Sequence, residues 1–300
     1  MATNTPIYQG NLSYEVPLAR HTSWRVGGVA EKLYKPNDIE DLQHYLQSLP
    51  SDEAVTILGL GSNVLIRDGG IRGSVIYTRG RLNKIELVDS SILYVEAGVN
   101  TARIAKLATE KGLAGGEFFA GIPGTMGGAL TMNAGAFGGE TWRLVDKVIM
   151  LTKQGQLIER KASEFSVSYR SVSVNADEYF VACYLKIPVN IEGDSSQKIK
   201  DLLAKRALTQ PTNMPSAGSV FKNPEGDHAA RLIEAAGLKG YQIGGAQVSE
   251  KHANFIVNTG KAKADDIEQL INYVQQQVLE KHNIQLETEV RILGEQGEAA

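Results

Sequence analysis

GEFFAGIPGTMGGALTMNAGAFGG, running from Gly116 to Gly139, is the stretch whose reading decides the fold. Ten of the chain's 31 glycines fall between Gly112 and Gly139. Glycine has no Cβ, so its backbone can take positive φ and lie directly against a ligand, at an entropic cost that an idle loop does not need. Successive N–H groups in such turns form concave nests suited to phosphate. The 22 residues from Phe118 to Gly139 carry no charge yet keep Thr125, Thr131 and Asn133. The run therefore reads as a backbone cradle for an anion, with a diphosphate cofactor as first candidate. The plainer alternative, a tight turn packed closely on a sheet, uses the same glycines. The run is too rich in Gly, Asn and Thr to span a membrane, which takes about 20 apolar residues.

Three hundred residues, 42% of them hydrophobic and 22% charged, suit a globular enzyme of roughly two domains. Thirty-one basic against 34 acidic side chains leave a net charge of −3, so no basic excess points to nucleic acid. The single cysteine, Cys183 in YFVACYLKI, excludes an intrachain disulfide and reads as a buried small hydrophobe. His21, His44, His228, His252 and His282 show no HxH or HExxH spacing, and no metal is expected. The start, MATNTPIYQGNLSYEV, has neither a basic nor an apolar leader region, so a cytoplasmic location is expected.

The remaining texture is mixed. Asn37 and Glu40 form a capping box ahead of a helix with Ile39, Leu42, Leu46 and Leu49 on one face. VTILGL, SVIYTR, ILYVEAG and KVIMLT read as strands, and a helix runs from about Thr101 to Lys111. Past residue 186 the chain turns polar, then KIKDLLAKRAL reads as a helix leading into QPTNMPSAGS. Two more helices follow, about Asp227–Ala236 and Asp265–Lys281, the second striped by Ile267, Leu270, Ile271, Val274 and Val278. QLETEVRIL alternates, which puts Leu286, Val290 and Ile292 on one face and Glu287, Glu289 and Arg291 on the other.

Two glycine-bearing turns, GLGSN at Gly59–Asn63 and GIPGTMGG at Gly121–Gly128, flank about two strands and a helix. Neither has the Rossmann spacing, and there is no Walker A sequence. A dinucleotide held by two separate turns points to a flavin as the tightly bound cofactor.

These segments, with HTSWRVGG (His21–Gly28), GLGSNVLIRDGG (Gly59–Gly70), SYRSV (Ser168–Val172), NMPSAGSVFKNP (Asn213–Pro224) and LETEVRILG (Leu286–Gly294), resemble the UDP-N-acetylenolpyruvoylglucosamine reductase family, in family order along nearly the whole chain. The resemblance implies an α+β fold: a vanillyl-alcohol-oxidase-type FAD-binding region of two α+β parts and a smaller α+β substrate-binding domain. The expected division is 1–75 and 76–205 for flavin and 206–284 for substrate, with a strand at about 285–300 returning near the active site.

The resemblance also implies noncovalent FAD, NADPH as co-substrate, and hydride passage from flavin N5 to C3 of an enolpyruvyl UDP-sugar, with a proton reaching C2. The family's catalytic trio maps onto Ser219 as proton donor, Arg170 and Glu289. Flavin contacts map onto Gly59, Gly61, Ser62 and Asn63 in the first turn, then Ile122, Gly124, Thr125, Gly127, Asn133, Ala134 and Gly135 in the second. Substrate contacts fall on Asn223, Arg291 and, less directly, Lys222, whereas Lys205 and Arg206 read equally as phosphate contacts or solvated charge. A monomer without nucleic-acid or membrane partners is expected, acting in peptidoglycan precursor synthesis.

Only about eight residues separate Arg170 from the strand at Tyr179, so the tyrosine-bearing lid segment of some relatives is missing, and the chain resembles the shorter subtype. Tyr179 and Tyr184 fit strand packing and not the lid's role. Two other classes stay open on the residues alone. One is an FAD subunit relaying electrons, which needs neither Ser219 nor Glu289. The other is a serine hydrolase pairing Ser219 with His228 or His252, for which the GxSxG elbow is lacking.

Overall fold

Leu42, Tyr45 and Leu46 recur at helical spacing and are all buried, and they set the place of the first helix, α1 (Ile39–Ser48). The computed structural model describes residues 8–190 and 193–297. Residues 1–7, on which the leader reading partly rests, and 298–300, the end of the expected C-terminal strand, lie outside the described residues. The other helices are α2 (Thr101–Glu110), α3 (Met126–Thr131), α4 (Ser195–Thr209), α5 (Ala229–Ala235) and α6 (Ala264–His282). The chain divides into two compact units: one holds the residues up to Tyr14, Lys32–Leu60 and Gly73–Ala204, the other Glu15–Glu31, Gly61–Arg72 and the residues from Lys205 onward.

The first unit is built on a five-stranded antiparallel sheet ordered Leu157–Lys161, Val145–Thr152, Glu178–Lys186, Ile92–Glu96, Ile85–Asp89. Strand alternation sorts its two faces. Leu93, Val95, Val148, Met150, Cys183 and Leu185 pack with Ile104, Ala105 and Ala108 of α2 and with Met126 and Leu130 of α3. Leu151 and Val181 instead join Tyr34, Leu42, Tyr45, Leu46 and Ile76 in a second core. A further sheet has the order Asn11–Pro17, Val29–Lys35, Ile71–Tyr77, Val55–Leu58, the last two strands parallel.

The start of α1 differs from expectation. Asp38, not Asn37, caps it, its carboxylate accepting from the Asp41 N–H at 2.8 Å, while Asn37 donates its own N–H to the Asp41 carboxylate. Asp and Asn serve equally well as caps, and the extended backbone of Asp38 decides which one does so here.

In the second unit the predicted apolar stripe of α6 is fully buried against α5 and the three-stranded sheet Gln242–Ile243, Ala246–Val248, Ile256–Asn258. Trp24, from HTSWRVGG, sits in this core, donating its indole N–H to the Ile256 carbonyl at 2.7 Å, and Asn258 donates back to the Trp24 carbonyl at 2.8 Å. The Asp68 carboxylate accepts from the N–H groups of Ala264 and Asp265, satisfying two of the orphan donors at the start of α6.

QLETEVRIL is not the continuous strand its alternation predicts. Only Arg291–Leu293 is strand, paired in parallel with Val64–Ile66, and the chain bends at Glu289 and Val290. The N–H groups of both residues converge on one acceptor, the Val220 carbonyl, at 2.8 and 3.3 Å, which a regular ladder does not do. The burial pattern survives: Leu286 and Val290 are in the core.

Candidate active site

The first glycine turn follows the strand Val55–Leu58. Gly61 takes φ +70°, and among the described residues no acceptor takes the N–H groups of Gly59, Leu60, Gly61 or Ser62. Gly59 lies so close to Thr125 that an added Cβ would stand 2.3 Å from its hydroxyl. The two glycine-bearing turns thus meet at Gly59 and Thr125.

In the second turn, Thr101 at the start of α2 donates its hydroxyl to the carbonyl of Ile122 and its N–H to that of Gly124. The N–H groups of Met126 and Gly127 go to the carbonyls of Val99 and Ala97, so Gly127 contributes close approach, a Cβ there falling 3.0 Å from that of Ala97. Among the described residues the N–H groups of Gly124, Thr125 and Gly128 have no acceptor. Within the first unit the N–H groups of Gly59, Leu60, Gly124, Thr125 and Gly128 thus lack an acceptor among the described residues, and donors of this kind suit the oxygens of a diphosphate.

Arg170 is the second residue of the two-residue link between Val167–Ser168 and Ser171–Val172 and takes φ +55°. Its guanidinium donates to the carbonyls of Gly135 at 2.8 Å and Asn133 at 3.4 Å, and lies 5.0 Å from the centre of the Tyr169 ring. A Cβ on Gly135 would be 2.4 Å from the Gly139 carbonyl and 3.1 Å from Nη1 of Arg170, so the backbone at Gly139 is what first requires glycine there. The Asn133 side chain is 2% exposed and turned inward, accepting from the Trp142 N–H and donating to the Ser168 carbonyl. Ala134 accepts from both the N–H and the hydroxyl of Thr141.

Ser219 and Glu289 belong to the second unit, Arg170 to the first. Ser219 is half-buried, and its hydroxyl has no partner among the described residues. Its neighbours are tied down: Gly218 donates its N–H to the Ser62 carbonyl, and the Glu289 N–H donates to the Val220 carbonyl at 2.8 Å. Asn63 braces the same segment, its side-chain amide donating to the Glu289 carbonyl at 3.0 Å and its backbone carbonyl accepting from the Arg291 N–H. The structure thus brings together Ser219, Glu289 and the Ser62–Asn63 end of the first turn.

Of the substrate candidates, Lys222 makes an ion pair with Glu287 at 3.3 Å, and Asn223 accepts from the Ala229 N–H at the start of α5. Arg291 is exposed. Arg206 is half-buried, its guanidinium donating to Gln210, and burial lowers its pKa. No Ser219–histidine hydrogen bond exists among the described residues; His252 instead accepts from the Asn254 N–H through Nδ1, and burial holds its pKa below the usual value. Among the described residues no cluster of His, Cys, Asp and Glu could hold a metal, and no helix is long and apolar enough to cross a membrane.

Residues 30–160 match the family described as FAD binding domain, and residues 210–293 match UDP-N-acetylenolpyruvoylglucosamine reductase, C-terminal domain. The UDP-N-acetylenolpyruvoylglucosamine reductase of Coxiella burnetii (strain Dugway 5J108-111) is 52% identical over 95% of this chain and 96% of that protein. The chain belongs to the UDP-N-acetylenolpyruvoylglucosamine reductase family. The Methylococcus capsulatus member is 55% identical over 93% of this chain and 92% of its own length. The crystal structure of the Thermus caldophilus reductase superposes with a TM-score of 0.82 at 30% identity, covering 95% of this chain and 99% of that one.

The fold is therefore α+β, with a vanillyl-alcohol-oxidase-type FAD-binding region and a smaller α+β substrate-binding domain, and the chain is an FAD-dependent oxidoreductase. Membership in the reductase family decides against the electron-relay and hydrolase alternatives. Sequence reasoning missed Thr101, Thr141, Asn254 and the bracing role of the Asn63 side chain. A Thr directly after the α2 cap Asn100 is the one local signal among them.

Proposed function

We propose that the chain catalyses NADPH-dependent, FAD-mediated reduction of the enolpyruvyl group of UDP-N-acetylglucosamine-enolpyruvate to UDP-N-acetylmuramate, as a cytoplasmic monomer in peptidoglycan precursor synthesis. The observation that carries the reading is the Ser219 hydroxyl, without a partner among the described residues, on a segment hydrogen-bonded to that of Glu289. Gly59, Gly124 and Thr125 would hold the FAD diphosphate through N–H groups that no acceptor takes among the described residues, with Gly61, Ser62, Asn63, Ile122, Gly127, Asn133, Ala134 and Gly135 as the further flavin contacts.

FAD held there and reduced by NADPH would supply hydride from N5 to C3 of the enolpyruvyl double bond. Negative charge then develops at C2 and on the neighbouring carboxylate, for which the planar fork of Arg170 is suited. Gly135 and Asn133 accept from that fork and so fix its plane. Ser219 gives the proton to C2. A hydroxyl is a weak acid near neutral pH and serves here because the carbanion is strongly basic. Glu289 acts as a protonated or hydrogen-bonded carboxyl group that polarises the substrate carboxylate, since an unpaired carboxylate would repel it. Asn223, Arg291 and Lys222 would contact the substrate.

The test is absorbance of the purified protein through both half-reactions. NADPH is expected to bleach the flavin band in wild type and in Ser219→Ala alike. The enolpyruvyl substrate is expected to restore it in wild type but about 10²–10⁴-fold more slowly in the variant, the usual contribution of a general acid. A colourless protein that takes up no FAD, or equal turnover in the two proteins, would overturn the proposal.

A further inference from the structure

The hydroxyl of the proton donor proposed above has no partner among the described residues, so its backbone is what holds it in place. Val220 and Phe221, the two residues after Ser219, have four backbone polar groups, and all four are bonded. Asn254 takes three of them: its carbonyl accepts from the Val220 N–H at 2.9 Å, its Oδ1 from the Phe221 N–H at 3.0 Å, and its Nδ2 donates to the Phe221 carbonyl at 2.8 Å. The fourth, the Val220 carbonyl, accepts from the Glu289 N–H. A side-chain amide that pairs both backbone groups of one residue stands where an adjacent strand would stand.

Asn254 is itself rigidly set. It is 3% exposed and lies in the tight link between the strands Ala246–Val248 and Ile256–Asn258. There the Ser249 hydroxyl accepts from the N–H groups of Lys251 and His252, and the Phe255 N–H donates to the His252 carbonyl. Its bonds to residues 220 and 221 are therefore made from a fixed point and not by a mobile side chain.

We propose that Asn254 is the positioning residue for proton delivery: it holds Val220 and Phe221 so that the Ser219 hydroxyl and Glu289 keep their register. The proposal rests on the reading of Ser219 as proton donor. Asn254 acts through the backbone that directly follows Ser219, so its loss should burden the proton-dependent half-reaction and spare the hydride transfer from NADPH. A displacement on the order of 1 Å in a reacting group costs up to about a hundredfold in rate.

The experiment compares Asn254→Ala, Asn254→Ser and Ser219→Ala with wild type as FAD-loaded full-length proteins. It measures FAD content, the rate of flavin reduction by NADPH, the rate of reoxidation by the enolpyruvyl substrate, and the solvent deuterium isotope effect on reoxidation. Both Asn254 variants are expected to keep FAD and be reduced at the wild-type rate. Their reoxidation should fall about tenfold to a hundredfold, with an enlarged solvent isotope effect, and Asn254→Ser should be the milder because one hydrogen-bonding end remains. Reoxidation at the wild-type rate in both, with Ser219→Ala slowed, would overturn the inference and leave the Ser219 reading intact. Loss of FAD and of both half-reactions together, or slowing with an unchanged isotope effect, would assign Asn254 to folding alone and overturn it as well. Wild-type reoxidation in Ser219→Ala would instead remove the reading on which the inference rests.

Discussion

Gly59→Ala is a direct probe of the cradle. The new Cβ would stand 2.3 Å from the Thr125 hydroxyl, with Thr125 Cβ and Cγ2 the next nearest atoms at 3.4 and 3.5 Å. One atom is therefore about 1 Å inside an ordinary contact, and the others are already acceptable. Thr125 is 2% exposed and β-branched, so its side chain cannot swing away freely. Overpacking of this kind costs about 1–3 kcal/mol. At roughly 2–4 °C per kcal/mol for chains of this general size, the melting temperature should fall by roughly 2–12 °C, and FAD should be held more weakly. Thr125→Ala removes the offending hydroxyl, which makes no cap bond, and leaves only its Cβ at 3.4 Å. The double variant should therefore recover most of the loss, a coupling of about 1–2 kcal/mol between two residues in contact. Differential scanning fluorimetry with and without FAD, plus fluorescence titration of FAD into stripped protein, measures both quantities. Gly59→Ala melting like wild type, or a double variant no better than the sum of the singles, would refute the contact as described.

Three further outcomes are expected. Burial pushes the Asp41 carboxyl upward, but hydrogen bonds from Asn37, Gln9, Tyr34 and Gly10 outweigh it, and the net pKa lies below the usual carboxylate value. A depressed folded-state pKa stabilises above the unfolded value of about 3.9 and ceases to do so as pH falls through the folded one. Asp41→Asn should thus lower the melting temperature near pH 7 and converge on wild type in acid; a gap independent of pH would contradict this. Burial pushes the Cys183 thiol far up, so a thiol reagent should label the native protein only as fast as it unfolds, and rapid stoichiometric labelling would disprove that. Arg170→Lys keeps the charge but loses the fork held by Gly135 and Asn133, so reoxidation by substrate should slow about tenfold to a hundredfold with NADPH reduction unchanged. Equal slowing of both half-reactions would count against a role on the substrate side.

What the sequence made legible was local in sequence. The stripe of α6 is buried at every position its periodicity named, because period and burial are consequences of one helix geometry. The glycine run declared close approach, since only a missing Cβ lets Gly59 meet Thr125 and Gly135 meet the Gly139 carbonyl. What stayed hidden depends on partners far along the chain. Asp68 caps a helix 196 residues away, and Asn254 pairs with Phe221 33 residues away; in HANFIVN an asparagine looks like any turn residue.

Glu289 lies between these two cases. Alternation sorted Leu286 and Val290 inward correctly, yet it implied a strand that would carry Glu289 and Arg291 side by side along one edge. The Val220 carbonyl draws in two successive N–H groups there, and the strand is broken one residue before Arg291. Glu289 therefore takes its position from Val220 and Asn63, and Arg291 from its pairing with Val64. Replacing Asn63 by Ala should consequently disturb Glu289 more than Arg291. The result should be a fall in reoxidation rate larger than any rise in KM for the enolpyruvyl substrate, and a change in KM alone would show that the two residues move together.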